Sequence, residues 1–182
     1  MSDAQPASVY DLSHTEEVKN LATFAILVDN EPGVLHRLVG LFAARGYNIE
    51  SLTVAETDRR AHTSRVTIVT RGAPHVLEQI EAQLEKMVAT RHVQDITRDP
   101  NGLERELALV KVKGTGADRV EALRIADIFR AKVVDTTIES FVFEMTGASA
   151  KIDKFVELMR PLGLVELSRT GVLSITRGVD AM

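Results

Sequence analysis

The sequence predicts an α+β protein made of two consecutive βαββαβ units, each folded as a ferredoxin-like sandwich with one antiparallel sheet and both helices on one face. Three observations predict it. Strand-like and helical apolar periodicities follow one another in the same order twice along the chain. Four turn formers in a row, Asp99-Pro100-Asn101-Gly102, divide the two runs. The 182 residues, 45% of them hydrophobic, are enough for two small domains with real cores.

In the first unit, Phe24, Ile26 and Val28 alternate with Ala25 and Leu27. A run apolar on both sides belongs to a strand near a sheet centre. Asp29-Asn30-Glu31 ends it, and Pro32 sets a helical φ where a missing N–H does no harm, so a helix is expected to start there. Val34, Leu35, Leu38, Val39, Leu41 and Phe42 form its apolar stripe, and Gly46 stops it. Residues 47–55 return as a strand rich in β-branched and aromatic side chains. Thr57-Asp58-Arg59-Arg60 is a hairpin connection to a strand over 63–71, with Val66 and Ile68 on one face and Thr67 and Val69 on the other. Gly72-Ala73-Pro74 opens a second helix with Val76, Leu77, Ile80, Leu84 and Met87 inward, and 88–97 form the fourth strand.

The second unit repeats the pattern. Residues 104–112 are strand-like, Gly114-Thr115-Gly116 turns, and 117–130 are helical with Ala122, Ile125, Ala126 and Phe129 inward. Strands follow over 132–136 and 141–146. Ser149 is an N-cap candidate for a helix whose Ile152, Phe155, Val156 and Met159 have i, i+3, i+4, i+7 spacing, closed by Pro161 and Gly163. Strands over 164–167 and 172–176 finish the chain. The resulting division is a polar extension over 1–20, a first domain over 21–98 and a second over 103–178.

Composition narrows the function. Aromatics are 4% and Trp is absent, so stacking platforms for bases are scarce, and at net charge −4 the dispersed Lys and Arg make no nucleic-acid surface. Without Cys there is no disulfide framework or thiolate nucleophile, which fits the cytoplasm. The N-terminus lacks a secretory signal pattern, and no apolar run reaches membrane-spanning length. A sheet covered by helices on one side, with strands apolar on both faces, needs a partner, so at least a homodimer is expected.

Chemistry enters at Gly33. A helix N-terminus presents free N–H groups and a positive dipole end to a carboxylate, and a residue without Cβ lets a ligand approach the backbone. Asn30, just before the turn, offers a donor and an acceptor. The same residues are also those of an ordinary helix start. Gly114-Thr115-Gly116-Ala117-Asp118-Arg119 with Asp135 beyond it resembles a dinucleotide fingerprint, but Arg119 stands where close packing needs a third glycine, so a plain strand–turn–helix is expected. The five histidines have no metal-ligand spacing, and Glu50 reads as an exposed or ion-paired strand residue. No acid, base and nucleophile converge, which favours a binding module over an enzyme.

The stretch DNEPGVLHRLVGLFAARGYNIESLTVAETD resembles the opening of the regulatory, or small, subunit of acetolactate synthase (acetohydroxyacid synthase), within the wider ACT-domain pattern. The resemblance continues through SRVTI at 64–68, RELALVKV at 105–112, Ile128-Phe129-Arg130 to Val134-Asp135, and Arg169-Thr170-Gly171-Val172 to Arg177-Gly178. It implies an N-terminal ACT domain and a non-catalytic subunit that binds and activates a catalytic large subunit and confers feedback inhibition by valine or related branched-chain amino acids. The family's effector site falls on Asn30, Gly33, Val34 and Leu35 of one chain and on Asn48 and Ile49 of its dimer partner. Thiamine diphosphate, Mg²⁺ and FAD are then expected on the catalytic partner, with no cofactor or metal on this chain. The alternative reading is a free-standing ACT-domain sensor of amino acids that regulates a different protein.

Overall fold

The computed structural model describes residues 19–179. The expected polar extension lies outside them except for its last two residues, and Asn20 already opens the first strand. The elements are β1 (Asn20–Asp29), α1 (Val34–Ala44), β2 (Ile49–Asp58), β3 (Thr63–Gly72), α2 (Pro74–Glu85), β4 (Thr90–Asp95), β5 (Gly102–Lys113), α3 (Gly116–Phe129), β6 (Lys132–Thr136), β7 (Ser140–Gly147), α4 (Ser149–Met159), β8 (Leu164–Arg169) and β9 (Leu173–Thr176). One antiparallel sheet has the order β2-β3-β1-β4, and the other has β6-β7-β5-β8. The two βαββαβ units are therefore present, and β9 is an addition to the pattern. It pairs with the first four residues of β5, from Gly102 opposite Thr176 to Arg105 opposite Leu173.

Each sheet has an aliphatic core on its helical face. In the first, Phe24, Ile26 and Val28 of β1 and Val66 and Ile68 of β3 meet Leu38 and Phe42 of α1 and Ile80 and Leu84 of α2. In the second, Val110 and Phe143 pack under Ile152, Phe155 and Met159, with the Phe143 and Phe155 rings edge-on at 6.1 Å. The α1 stripe is narrower than its periodicity suggests, since Leu35 is 39% and Val39 36% exposed. The helix also starts at Val34, because Gly33 holds a left-handed backbone (φ 84°) that ends the turn rather than continuing a helix from Pro32. Ser149 is the first helical residue, not the cap. Ala148 takes the cap position and its carbonyl accepts the Lys151 and Ile152 N–H groups. The fourth strand is shorter than expected: 88–89 belong to a turn in which the Thr90 N–H meets the Met87 carbonyl, and the Asp95 carboxylate takes the Thr97 and Arg98 N–H groups and ends the ladder.

The other face of the first sheet is where expectation and structure part. Thr23, Ala25, Thr67 and Val69 are all buried there, as strands apolar on both sides require. Much of the cover comes from the same chain. The segment 170–176 crosses this face: the Val172 N–H donates to Ser51 Oγ at 3.0 Å, Thr53 Oγ1 donates to the Thr170 carbonyl at 3.4 Å, and Thr67 and Ser174 hydroxyls meet at 3.5 Å. We call this segment the strap. Arg65 lies on the same face, beside Leu27 and Ala55 in the ladders, and burial pushes its guanidinium below its usual range.

On α2, burial and then repulsion from Asp95 raise the Glu81 carboxyl above its ordinary value, with Arg98 partly offsetting them. A raised native value stabilises the fold when the group is protonated, and the contribution disappears as pH rises through that value. Glu81→Gln should therefore raise the melting temperature at neutral pH. The gain should vanish well below the glutamate range, which a pair of thermal melts at the two pH values checks.

Candidate functional site

The turn after β1 is held on three sides. The Asn30 N–H donates to the His62 carbonyl at 2.7 Å, the Asp29 N–H to Ala89 at 2.9 Å, and Arg91 Nε to the Asp29 carboxylate at 2.6 Å. The Val34 N–H closes back on the Glu31 carbonyl at 3.2 Å, so the next first-turn N–H groups, those of Leu35 and His36, are the ones a helix leaves without an intrahelical acceptor. No side chain caps this helix. A Cβ built on Gly33 would meet nothing within 4 Å, so the space before the helix end is open, and glycine is required by φ rather than by crowding. Asn30 is exposed and its Nδ2 reaches Glu56 Oε1 at 3.4 Å on β2.

Val34 and Leu35 face different ways. The Val34 side chain is buried in the core, so it can serve a ligand only through its backbone, whereas the half-exposed Leu35 and, one turn on, Val39 present an aliphatic surface. Asn48 is exposed; its Nδ2 donates to Glu50 Oε1 at 3.2 Å and its carbonyl accepts Thr70 Oγ1 at 2.6 Å. Glu50 in turn lies 3.9 Å from Arg71, as an ion-paired strand residue should. Ile49 leans partly on the core.

The two halves of the expected site are far apart in one chain. Asp29 pairs with Thr63 at the start of β3, and Ile49 pairs with Thr70 near its end. Seven strand residues separate those positions, which is about 23 Å at about 3.3 Å per residue. Asn30 with Gly33 thus occupies one end of the sheet and Asn48 with Ile49 the other. Strand β2, which starts at Ile49 directly after Asn48, is the free edge of the sheet.

A second concave feature lies elsewhere. About 740 Å³ opens between the two sheets, walled by Leu52, Val69, Glu106, Asp153, Arg169 and Val172. Its charges are engaged with one another: Arg169 makes a bidentate pair with the buried Glu106 at 2.7 and 2.6 Å and a third contact to Asp153 at 2.6 Å. That pairing, with Glu106 foremost, raises the guanidinium further above its usual range. The cleft is braced rather than equipped with free donors. The dinucleotide-like stretch is also structural. Strand β5 runs antiparallel to both β7 and β8, and the Arg119 guanidinium stacks 3.9 Å from the Phe141 ring centroid while donating to Thr136 at 3.3 Å.

Sequence reasoning reads 172–176 as a closing strand, which β9 matches, but does not show that the strap crosses the first sheet. Nothing in its pattern signals that Gly171 sits against β2, where a Cβ would come within 2.5 Å of Ser51 Oγ, at φ 83°. Both features together allow only glycine there.

Residues 24–92 match the family described as the ACT domain of AHAS small-subunit-like proteins, and 105–178 match the family described as the small subunit of acetolactate synthase. The fold and these matches define an ACT-domain protein with a second ferredoxin-like unit. A probable acetolactate synthase small subunit of Archaeoglobus fulgidus is 46% identical over 86% of this chain and 96% of its own. The small subunit of Escherichia coli acetolactate synthase isozyme 3 is 43% identical over 87% of this chain and 96% of its own. The crystal structure of the acetolactate synthase small subunit from Thermotoga maritima superimposes with a TM-score of 0.78 at 36% identity, covering 88% of this chain and 99% of that one. The chain belongs to the acetolactate synthase small-subunit family. No helix among the described residues is long and apolar enough to cross a membrane.

The two left-handed glycines give a paired test of stability. Gly33→Ala should cost about 1 kcal/mol, the strain of a left-handed alanine alone. Gly171→Ala should cost about 2–4 kcal/mol, because it adds the displaced Val172–Ser51 and Thr53–Thr170 bonds. Denaturant unfolding of both variants measures the difference.

Proposed function

We propose that this chain is the non-catalytic regulatory subunit of an acetolactate synthase. It binds a thiamine-diphosphate-dependent catalytic subunit, raises its activity, and makes it sensitive to valine or a related branched-chain amino acid. Thiamine diphosphate, Mg²⁺ and FAD belong to the catalytic partner in this reading. The protein works in the cytoplasm, where branched-chain amino acids are made.

The observation that carries the proposal is the register of β3. Asn30 and Gly33 stand at the opposite end of the sheet from Asn48 and Ile49, and β2 is a free edge. Two β2 edges paired antiparallel about a two-fold axis set the beginning of one strand beside the end of the other. The end, at Glu56, is where Asn30 already reaches. Asn48 and Ile49 of a second copy then complete the pocket that Asn30, Gly33 and Leu35 begin. The open N–H groups of the first helical turn receive the effector carboxylate, the asparagine amides orient its ammonium end, and Leu35 and Ile49 enclose the aliphatic side chain. A methylene more or less in such a pocket shifts binding by about 1–3 kcal/mol, so related effectors should be graded rather than excluded.

The same edge strand links the pocket to the second unit. Ser51 and Thr53, two and four residues beyond Ile49, are the seats of the strap. An effector that favours one arrangement of paired β2 strands thereby favours one placement of the second unit, and equal affinity for both arrangements would shift nothing.

Reconstitution with a purified acetolactate synthase catalytic subunit tests the proposal. The chain should raise its activity, and valine should lower it again. Asn30→Ala and Asn48→Ala should each weaken valine about tenfold, the loss of one hydrogen bond to a charged group. Because each pocket takes one asparagine from each chain, mixing the two variants and allowing exchange should restore about a quarter of the sites. No recovery on mixing would mean that the two asparagines do not share a pocket.

A further inference from the structure

The first unit's free edge has a counterpart in the second. Strand β6 is an edge of its sheet, and all five of its residues, Lys132-Val133-Val134-Asp135-Thr136, are exposed. Neither the Lys132 nor the Asp135 side chain makes an ion pair or hydrogen bond with another described residue. The other edge, β8, differs: Glu166 pairs with Lys111, and Arg169 is tied to Glu106 and Asp153.

A bulge arranges the β6 side chains. Lys132 pairs with Glu144 and Val133 with Phe143, but the register then slips so that Asp135 pairs with Val142 and Thr136 with Phe141. Phe141 and Phe143 belong to the core, and the alternate residues Val142 and Glu144 lie on the opposite face. Residues three apart in a regular strand point to opposite faces. The extra residue, Val134, instead puts Lys132 and Asp135 on one face.

We propose that β6 is a self-association edge, pairing antiparallel with the β6 strand of a second copy about a two-fold axis between Val133 and Val134. Opposed residues in such a pair must share a face, and the bulge meets that condition for Lys132 and Asp135. Lys132 of each copy stands opposite Asp135 of the other, and Val133 opposite Val134, each pairing occurring twice. Sliding the strands by one residue sets Val133 against Asp135 and leaves the lysines opposite threonine. Charge therefore selects the register.

Bulges and edge lysines usually discourage strand addition. Here the same features turn away an arbitrary strand and admit a copy of this one. Apolar surface flanks the pair. Ile128 is 65% exposed just before β6, and Ile138 is 89% exposed just after it. Helix α3, which precedes β6, is apolar on its inner side through Ala122, Ile125 and Ala126 and also on its outer side through Val120 and Ile128, as a helix with cover on both sides would be. This edge is distinct from β2, so a chain that uses both builds assemblies larger than a dimer.

Charge reversal on the full-length chain tests the register. Lys132→Asp and Asp135→Lys should each lower the mass seen by sedimentation by half, since each sets like charges opposite one another, and the double exchange Lys132→Asp/Asp135→Lys should restore it. All four side chains are solvent-exposed, and matching thermal melts verify that the variants fold. Unchanged mass in both single variants, or failure of the double exchange to recover, would overturn the proposal. A covalent measurement is independent of affinity: the wild-type chain has no Cys, so Lys132→Cys/Asp135→Cys should form disulfide-linked dimers on mild oxidation. A control pair on β8, Val165→Cys/Leu167→Cys, should remain unlinked. Equal linking at both edges, or none at β6, would contradict a specific pairing.

Discussion

The first sheet has two buried faces, and the chain must provide cover for both. Helices α1 and α2 close one face over Phe24, Ile26 and Ile68. The other is crossed by the strap, which arrives from the far end of the sequence and fastens to Ser51, Thr53 and Thr67. Desolvating Thr67 on that face is tolerable because the Ser174 hydroxyl of the strap meets its hydroxyl. The consequence is mechanical. The second unit is fixed to the first through β2, which is also the free edge, so any rearrangement of that edge is felt by the strap and by the β5–β9 ladder behind it.

Much of this was legible in the sequence, and the exceptions share a cause. Strands, helices and their order follow from periodicity because each element buries a face whose repeat is local. The apolar character of β1 on both sides correctly required two covers. What it could not reveal was the identity of the second cover, since the contact of Val172 with Ser51 spans the two domains and leaves no periodic trace. A partner chain was the economical expectation for that face, and the chain's own C-terminal segment fills much of it. Local competition explains the smaller departures. Ala148 takes the cap position that Ser149 was expected to fill, and the Asp95 side chain ends β4 before the apolar pattern does.

The candidate site shows the same division. Asn30, Gly33 and Leu35 are neighbours in sequence and in space, so their turn is readable from local chemistry. Asn48 and Ile49 follow the same helix by only a few residues, yet the register on β3 sets them at the other end of the sheet. Sequence proximity therefore suggests a pocket within one chain, whereas strand pairing supports pockets shared between two chains, two to each two-fold pair. Val34 marks the limit of residue-level reading. It borders the turn but belongs to the core, so its side chain serves stability while its neighbour Leu35 faces outward.

The central claim is that the pocket is built from copies of this chain and needs no catalytic partner. Calorimetric titration of the purified chain with valine, leucine and isoleucine tests it most directly. The account predicts saturable valine binding at about one molecule per chain, two equivalent pockets per two-fold pair, with the other two amino acids graded around it. Absence of saturable binding by all three would contradict it.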